Sequence, residues 1–145
     1  MEYISECLDD TRRLAAKLAC RVSSGAVIAL NGNLGTGKTT FTQGFAKSIG
    51  ITESVVSPTF KLVSEYQGSK SWLYHIDAYR MKGYQDFLNI GGEKYLIPIS
   101  GITIIEWANI IKTLIPDNAI HISFDRIKNN PNARQIIIAG LNYDF

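Results

Sequence analysis

Gly32-Asn33-Leu34-Gly35-Thr36-Gly37-Lys38-Thr39 is the stretch of this sequence that decides its fold. The apolar run Ala26–Leu30 precedes it and predicts a short buried strand, while residues 38–49 follow it with helical spacing and end at Gly50. Glycines permit backbone turns that a Cβ atom would block, so successive N–H groups can point at one anion. The start of the following helix adds a partial positive charge. The stretch and its flanks therefore predict a loop that cradles phosphate groups.

The pattern Gly-x-x-x-x-Gly-Lys-Thr is the Walker A signature of P-loop nucleotide-binding proteins. Lys38 is long enough to reach β- and γ-phosphates, and the Thr39 hydroxyl is the expected first ligand of a magnesium ion, which leaves Thr40 as helix. We therefore expect the chain to bind Mg-ATP, with Mg²⁺ as its cofactor. The predicted nucleotide-binding residues are Asn33, Leu34, Gly35, Thr36, Gly37, Lys38, Thr39 and Thr40.

The rest of the chain predicts an α/β fold with one domain, residues 1–145. A first helix is expected over residues 5–22, with Ser5 as its N-cap. Helical segments are also expected at 82–95 (interrupted by Gly91-Gly92) and 108–114, and strands at 60–66, 72–77, 102–105, 119–127 and 134–141. Asn129-Asn130-Pro131-Asn132 joins the last two runs and is typical of a hairpin. Together these elements predict a P-loop NTPase domain with a mixed central sheet, flanking helices and a C-terminal β-hairpin.

Acidic residues at the ends of buried strands usually serve the magnesium in P-loop enzymes. Asp77 ends the predicted strand 72–77, and Glu106 follows the strand 102–105. Alternation along the first strand puts His75 on the same face as Asp77. Taken alone, Asp77 is best interpreted as a solvated carboxylate of an edge strand. Glu106 lies at the mouth of a buried strand, where it can ligate magnesium or polarise the attacking water; both roles stay open.

Ser57-Pro58-Thr59 precedes the strand that is predicted to begin at Phe60. The proline keeps Ser57 out of the helical region and stiffens the segment. Thr59 can then offer its hydroxyl to the metal or to the γ-phosphate, as threonines of switch loops do. An ordinary turn at the entry to the strand fits the same residues equally well.

The composition of the chain is 46% apolar and 19% charged with a formal net charge of +2. These values indicate a globular protein and give no support to a strongly basic nucleic-acid surface. Cys7 and Cys20 would lie about 20 Å apart on one helix, too far for a disulfide. Free cysteines, no signal-peptide pattern and no apolar run of bilayer length predict a cytoplasmic protein without membrane attachment.

Four elements occur together and in order along the chain: Gly-Asn-Leu-Gly-Thr-Gly-Lys-Thr-Thr-Phe at 32–41, Ser-Pro-Thr-Phe at 57–60, His-Ile-Asp-Ala-Tyr-Arg at 75–80 and Glu106-Trp107. This set resembles the TsaE (YjeE) family over essentially the whole chain. Members of that family are the bacterial ATPases of tRNA threonylcarbamoyladenosine (t6A) synthesis. The resemblance implies ATP on the loop, magnesium near Thr39 and Glu106, and a catalytic or sensing role for Asp77. It also implies work with the TsaB and TsaD subunits, TsaD transferring the threonylcarbamoyl group to adenosine 37 of tRNA. The candidate catalytic residues are Lys38, Thr59, Asp77 and Glu106.

Other P-loop functions are the alternatives to this interpretation. A small-molecule kinase usually has an arginine-bearing lid, whereas Arg80, Arg126 and Arg134 follow the loop here without clustering in the sequence. A GTPase would need an Asn-Lys-x-Asp motif, which the sequence lacks. A nucleotide-sensing module that barely hydrolyses ATP is close to the family function. Because only Arg80 follows a motif that approaches the site, we expect hydrolysis to be slow alone and to be activated by TsaB and TsaD.

Overall fold

The computed structural model describes residues 1–142, which form a seven-stranded mixed sheet with helices on both faces. The strands are β1 (Glu2–Ser5), β2 (Val27–Gly32), β3 (Val63–Gln67), β4 (Trp72–Asp77), β5 (Gly101–Glu106), β6 (Ile120–Ile127) and β7 (Asn130–Ala139). The helices are α1 (Leu8–Ala19), α2 (Lys38–Ser48) and α3 (Tyr84–Asn89), with 3₁₀ turns at Gly92–Leu96 and Ala108–Leu114. The predicted α/β fold class is confirmed.

Parallel strands form the centre of the sheet, whose order is β1-β7-β6-β2-β5-β4-β3. β2 pairs in parallel with β5 and β6, and β4 pairs in parallel with β5. The other three pairs are antiparallel, including the predicted C-terminal hairpin β6–β7. β5 is buried along its whole length because residues pack on both of its faces. One core lies between the sheet and the pair α1 and α2, and the other lies under α3 and the two 3₁₀ turns.

The first helix begins at Leu8, so the prediction that it begins at Ser5 is wrong. Residues Glu2–Ser5 are extended instead, because their backbone pairs with β7 at the edge of the sheet. The Ser5 hydroxyl is not an N-cap. It is buried, donates to the Cys7 carbonyl at 2.9 Å and lies 2.7 Å from the Thr11 hydroxyl. Long-range strand pairing has therefore overridden the local capping pattern.

The strand predicted from Phe60 begins only at Val63. Leu62 has a positive φ of 69° and its N–H donates to the Pro58 carbonyl at 2.7 Å, so the backbone turns there. Phe60 is consequently 85% exposed. The break predicted near Gly91 is confirmed, since α3 ends at Asn89 and Gly91 has a φ of 71°.

Cys7 and Cys20 lie just beyond the two ends of α1 and are free and exposed, as predicted. Within residues 1–142, none of the helices has the length and apolar character needed to span a bilayer.

Candidate active site

The carboxyl ends of β2, β4 and β5 meet at one edge of the sheet and bring the predicted residues together. Leu30 on β2 and Asp77 on β4 both stand in register with Glu106 on β5. The phosphate loop leaves β2 at this edge, directly beside the two carboxylates. Asp77, Glu106 and most of the loop line a cavity of about 330 Å³. Ligands of parallel α/β sheets usually bind at the carboxyl ends of the strands, where this cavity lies.

The loop has the backbone geometry that its glycines predict. Gly37 has a φ of 112°, which L side chains rarely adopt, and it immediately precedes α2. A Cβ atom on Gly32 would lie 2.7 Å from both the Phe124 carbonyl and the Thr36 hydroxyl. The first backbone hydrogen bond of α2 runs from Phe41 N–H to the Gly37 carbonyl, so the N–H groups before it have no intrahelical acceptor. The loop therefore offers backbone donors and the positive end of a helix to an anion.

Lys38 is buried, with 5% of its surface exposed. Its Nζ donates to the Gly32 carbonyl at 2.5 Å and to the Asn33 carbonyl at 2.9 Å. It also lies 4.3 Å from the centre of the Trp107 ring. Burial lowers the pKa of Lys38, and the nearby carboxylates of Glu106 and Asp77 oppose that shift. The ammonium is thus held inside the cavity by carbonyl oxygens and an aromatic face.

Glu106 is 3% exposed, and three side chains lie within hydrogen-bond distance of its carboxylate. The Thr39 hydroxyl donates to Oε1 at 2.9 Å, while His75 Nε2 lies 2.7 Å and the Ser57 hydroxyl 3.2 Å from Oε2. Burial raises the pKa of Glu106, but the hydrogen bond and electrostatic interaction with His75 and the hydrogen bonds from Thr39 and Ser57 outweigh this effect. They leave the pKa below its ordinary value. The carboxylate is therefore stabilised as an anion, with one oxygen directed at Thr39.

Asp77 is also buried, which corrects its interpretation as the solvated carboxylate of an edge strand. β4 is an interior strand because β3 covers its other side. The Ser57 hydroxyl donates to Oδ2 at 2.6 Å, and the Tyr79 N–H donates to Oδ1 at 2.9 Å. Since a hydroxyl has one proton, Ser57 donates to Asp77 or to Glu106 at any one time, and the shorter distance favours Asp77.

Ser57, the first residue of the segment Ser57-Pro58-Thr59, contacts both carboxylates, which the sequence did not predict. Thr59 lines the same cavity two residues further on. Its expected contact with the metal or the γ-phosphate stays a prediction.

Two aromatic side chains form a wall of the cavity. Trp107 follows Glu106 with a φ of 58°, a left-handed conformation that costs a non-glycine residue about 1 kcal/mol or more. Its ring packs against Tyr79 at a centroid distance of 4.9 Å and covers Lys38. The strained turn after β5 is thus what directs Trp107 into the site.

Two arginines of the hairpin contact the loop, and the sequence did not predict these contacts. Arg126 donates to the Leu34 carbonyl at 2.7 Å, and Arg134 donates to the Gly35 carbonyl at 3.2 Å. Arg134 also lines the cavity. Arg80, the arginine expected to approach the site, is exposed and lies 4.4 Å from the centre of the Phe60 ring. The sequence did not indicate these contacts because Arg126 and Arg134 are 92 and 99 residues from the loop residues that they contact. The pairing of β6 with β2, and of β7 with β6, brings them next to it.

The other predicted site residues lie as follows. Leu34 to Thr40, Thr59, Asp77 and Glu106 all line the cavity. Asn33 contributes its carbonyl, which accepts from Lys38 and, at 2.7 Å, from the Thr36 hydroxyl. The arrangement brings a glycine-rich loop with backbone donors, one buried cation and two buried carboxylates together in a single cavity.

Comparisons with known proteins give one consistent result. A sequence model described as threonylcarbamoyl adenosine biosynthesis protein TsaE matches residues 5–136. The tRNA threonylcarbamoyladenosine biosynthesis protein TsaE of Bacillus subtilis is 35% identical over 137 residues, which are 94% of this chain and 85% of that protein. The protein of the same name from Treponema pallidum is 34% identical over 139 residues, 96% of this chain and 100% of that protein.

A solved structure extends the similarity to the fold. The crystal structure of Bacillus subtilis YdiB superposes with a TM-score of 0.77 at 32% sequence identity, covering 98% of this chain and 86% of that one. Sequence and fold agree over nearly the whole length. The chain therefore belongs to the TsaE family of threonylcarbamoyl adenosine biosynthesis proteins.

Proposed function

We propose that this protein binds Mg-ATP on the loop Gly32–Thr39 and hydrolyses it as a component of t6A formation at position 37 of tRNAs, acting with TsaB and TsaD subunits. Membership of the TsaE family supports the pathway, since its relatives are named for tRNA threonylcarbamoyladenosine biosynthesis. The observation that carries the ATPase proposal is the 2.9 Å hydrogen bond from Thr39 to Glu106, in a cavity that also holds the Lys38 ammonium.

The donor set at this place fits magnesium that arrives with a nucleotide. Within the described residues no group of three or more His, Cys, Asp or Glu side chains could hold a metal by itself. Mg²⁺ does not need such a group, because it usually takes one or two protein ligands and completes its shell with phosphates and water. Thr39 and Glu106 supply neighbouring oxygen donors of that kind. Bound there, Mg²⁺ would neutralise charge on the β- and γ-phosphate oxygens.

Lys38 would hold the phosphates in place. In the structure its Nζ donates hydrogen bonds to the Gly32 and Asn33 carbonyls, which hold the ammonium inside the cavity before a nucleotide binds. Phosphate oxygens would replace these carbonyls as acceptors with little movement of the side chain. The loop N–H groups before Phe41 would bind the remaining phosphate oxygens.

The two carboxylates divide the remaining work in this proposal. Glu106 accepts a hydrogen bond from the Thr39 hydroxyl, which keeps the oxygen lone pairs of Thr39 available for the metal. Asp77 accepts from Ser57 and borders the same cavity, so it is placed to orient the attacking water. Hydrolysis forms a bond from the water oxygen to the γ-phosphorus, breaks the bond to the β–γ bridging oxygen and releases ADP and phosphate.

Slow turnover by the isolated chain is part of the proposal. An arginine on the γ-phosphate contributes about 10³ to 10⁵ in rate to phosphoryl transfer. Arg80 is exposed against Phe60, and Arg134 is engaged by the Gly35 carbonyl and by the Pro131 and Ala133 carbonyls. Binding of a partner would have to place one such cation on the phosphates. This requirement supports a nucleotide switch that is activated by TsaB and TsaD.

The test is steady-state release of phosphate from ATP, measured for the protein alone, with TsaB and TsaD, and with these subunits plus tRNA. We expect a slow rate alone and a large increase with the partners, and no increase for Lys38→Met in the same mixture. A fast rate alone, or no change on addition, would contradict the switch and favour the kinase alternative. Phosphate transfer from labelled ATP to a panel of small metabolites would then test that alternative.

A further inference from the structure

His75 is a fully buried histidine on β4 that none of the steps above uses. It stands opposite Ile104 of β5, two residues before Glu106 on the same face of the sheet. Diagonal neighbours on adjacent strands are within reach of long side chains. The imidazole accordingly spans the gap, and its Nε2 lies 2.7 Å from Glu106 Oε2.

Among the described residues, the His75 ring has one hydrogen-bond partner, which is Glu106. A carboxylate only accepts, so Nε2 carries the proton and donates to Glu106. Nδ1 is buried and has no hydrogen-bond partner within residues 1–142. This favours a ring with its proton on Nε2, since an N–H on Nδ1 would be buried without an acceptor. Within the described residues, the only hydrogen bond of the His75 ring is therefore the one that Nε2 donates to Oε2 of Glu106.

Packing alone does not account for a histidine at this position. Leu73, two residues earlier on the same face, and Ile104, directly opposite, are fully buried apolar residues of the core against α2. An apolar side chain would fill such a place without the cost of burying a polar ring. What the histidine adds is the bond to Glu106, which leaves Oε1 directed at the Thr39 hydroxyl.

We propose that His75 is a positioning residue that fixes the Glu106 carboxylate for its work with Thr39 on the magnesium of bound ATP. The inference rests on the proposed function, because it assumes that Thr39 and Glu106 serve that metal. Without His75, the donor left on Oε2 is the longer bond from Ser57, which also serves Asp77. The Glu106 carboxylate would then lose the donor that fixes its orientation toward Thr39, and the proposed metal site would be disturbed.

The test compares two amides of equal polarity and different reach. His75→Gln can place an amide N–H near the position of Nε2, whereas His75→Asn is too short to reach Glu106. Mn²⁺ replaces Mg²⁺ as the probe, and its affinity is measured by electron paramagnetic resonance with a non-hydrolysable ATP analogue present. We expect His75→Asn to weaken Mn²⁺ binding about 10- to 100-fold, and His75→Gln to stay within about fivefold of wild type.

The control variant is Thr103→Val on β5. Thr103 is fully buried, and its hydroxyl donates to the Tyr95 carbonyl at 2.6 Å, away from the carboxylates. Loss of this bond lowers the free energy of unfolding and should leave Mn²⁺ affinity within about twofold of wild type. A Thr103→Val variant that loses Mn²⁺ as strongly as His75→Asn would show that general destabilisation is enough, and would overturn the positioning role.

The remaining outcomes separate this inference from the proposed function. Wild-type protein that binds the analogue and Mn²⁺, with His75→Asn binding Mn²⁺ equally well, would overturn the role of His75 alone. Wild-type protein that holds no Mn²⁺ with the analogue would overturn the proposed function and this inference with it. Loss of Mn²⁺ affinity in His75→Asn together with its retention in His75→Gln supports both.

Discussion

Replacement of Glu106 by glutamine tests the central feature of the site, because it removes the charge and keeps the shape. The carboxylate accepts from Thr39, His75 and Ser57, whereas an amide has one acceptor oxygen and an NH₂ group that donates. His75 favours the tautomer with its proton on Nε2, because a proton on Nδ1 would have no acceptor within residues 1–142. The amide oxygen should therefore face His75. The NH₂ group then faces Thr39, whose hydroxyl must accept instead of donate.

The expected magnitudes follow from this reversal. The Thr39 oxygen becomes engaged by the amide and is less available to magnesium, so we expect turnover with TsaB and TsaD to fall at least about 100-fold. ATP affinity without metal should stay within about threefold, because Lys38 and the loop N–H groups are unchanged. Hydrogen bonds to a charged group contribute about 1.5 to 3 kcal/mol against about 1 for a neutral one. Relief from burying a charge offsets part of this loss, so the free energy of unfolding should change by less than about 2 kcal/mol.

Three measurements check the Glu106→Gln prediction: phosphate release with the partners, calorimetry of ATP in EDTA, and urea denaturation. Asp77→Asn is the matched variant, since it neutralises the neighbouring buried carboxylate without touching Thr39. Unchanged turnover in Glu106→Gln, with loss of turnover in Asp77→Asn, would refute the assignment and make Asp77 the working carboxylate. A loss of ATP affinity in EDTA would show that Glu106 acts by organising the loop.

Three further predictions concern Lys38, Arg134 and the response to acid. Lys38→Met keeps the aliphatic stem and removes the charge, and calorimetry should show about 10- to 150-fold weaker ATP binding; equal affinity would contradict its role. Arg134→Gln should weaken ATP binding about tenfold, whereas Arg126→Gln should change it by less than about threefold, because Arg126 contacts the loop but does not itself line the cavity. Equal effects would mean that both arginines only support the loop. The pKa of Glu106 is depressed in the folded state, so its stabilising contribution is present above the ordinary value of 4.5 and is lost as the pH falls below it. The urea midpoint of wild type should therefore fall more steeply on acidification than that of Glu106→Gln, and parallel curves would exclude this contribution.

Local patterns in the sequence were sufficient for the phosphate loop and for most of the elements around it. The loop, the strand before it and the helix after it are contiguous, and their backbone geometry depends on glycine positions and apolar runs in one segment. The strand Trp72–Asp77 and the closing hairpin were predicted for the same reason. Errors occurred where distant pairing replaced a local preference, as at Ser5, which became part of β1.

The partners of the acidic residues depended on the order of the strands. Asp77 looked like a solvated residue because its own strand resembles an edge. The pairing of β3 with β4 makes that strand an interior one, and Asp77 is buried. Ser57 and Arg134 reach the site from segments far from the loop in sequence. The hydrophobic periodicity of a short segment predicts its secondary structure, but it does not predict which distant side chains will contact that segment.

By itself, the sequence determined the fold class, the phosphate loop and the positions of the two acids at the ends of strands, because each follows from the identity of neighbouring residues along one segment. Only the tertiary structure showed that Thr39 donates a hydrogen bond to Glu106, which is 67 residues away in the sequence. It also showed that Lys38 is buried against the Trp107 ring and that His75 lies within hydrogen-bond distance of the Glu106 carboxylate. These contacts arise only when β4, β5 and β2 lie side by side. Strand order is a property of the whole chain, since it is set by the burial of both faces of the sheet.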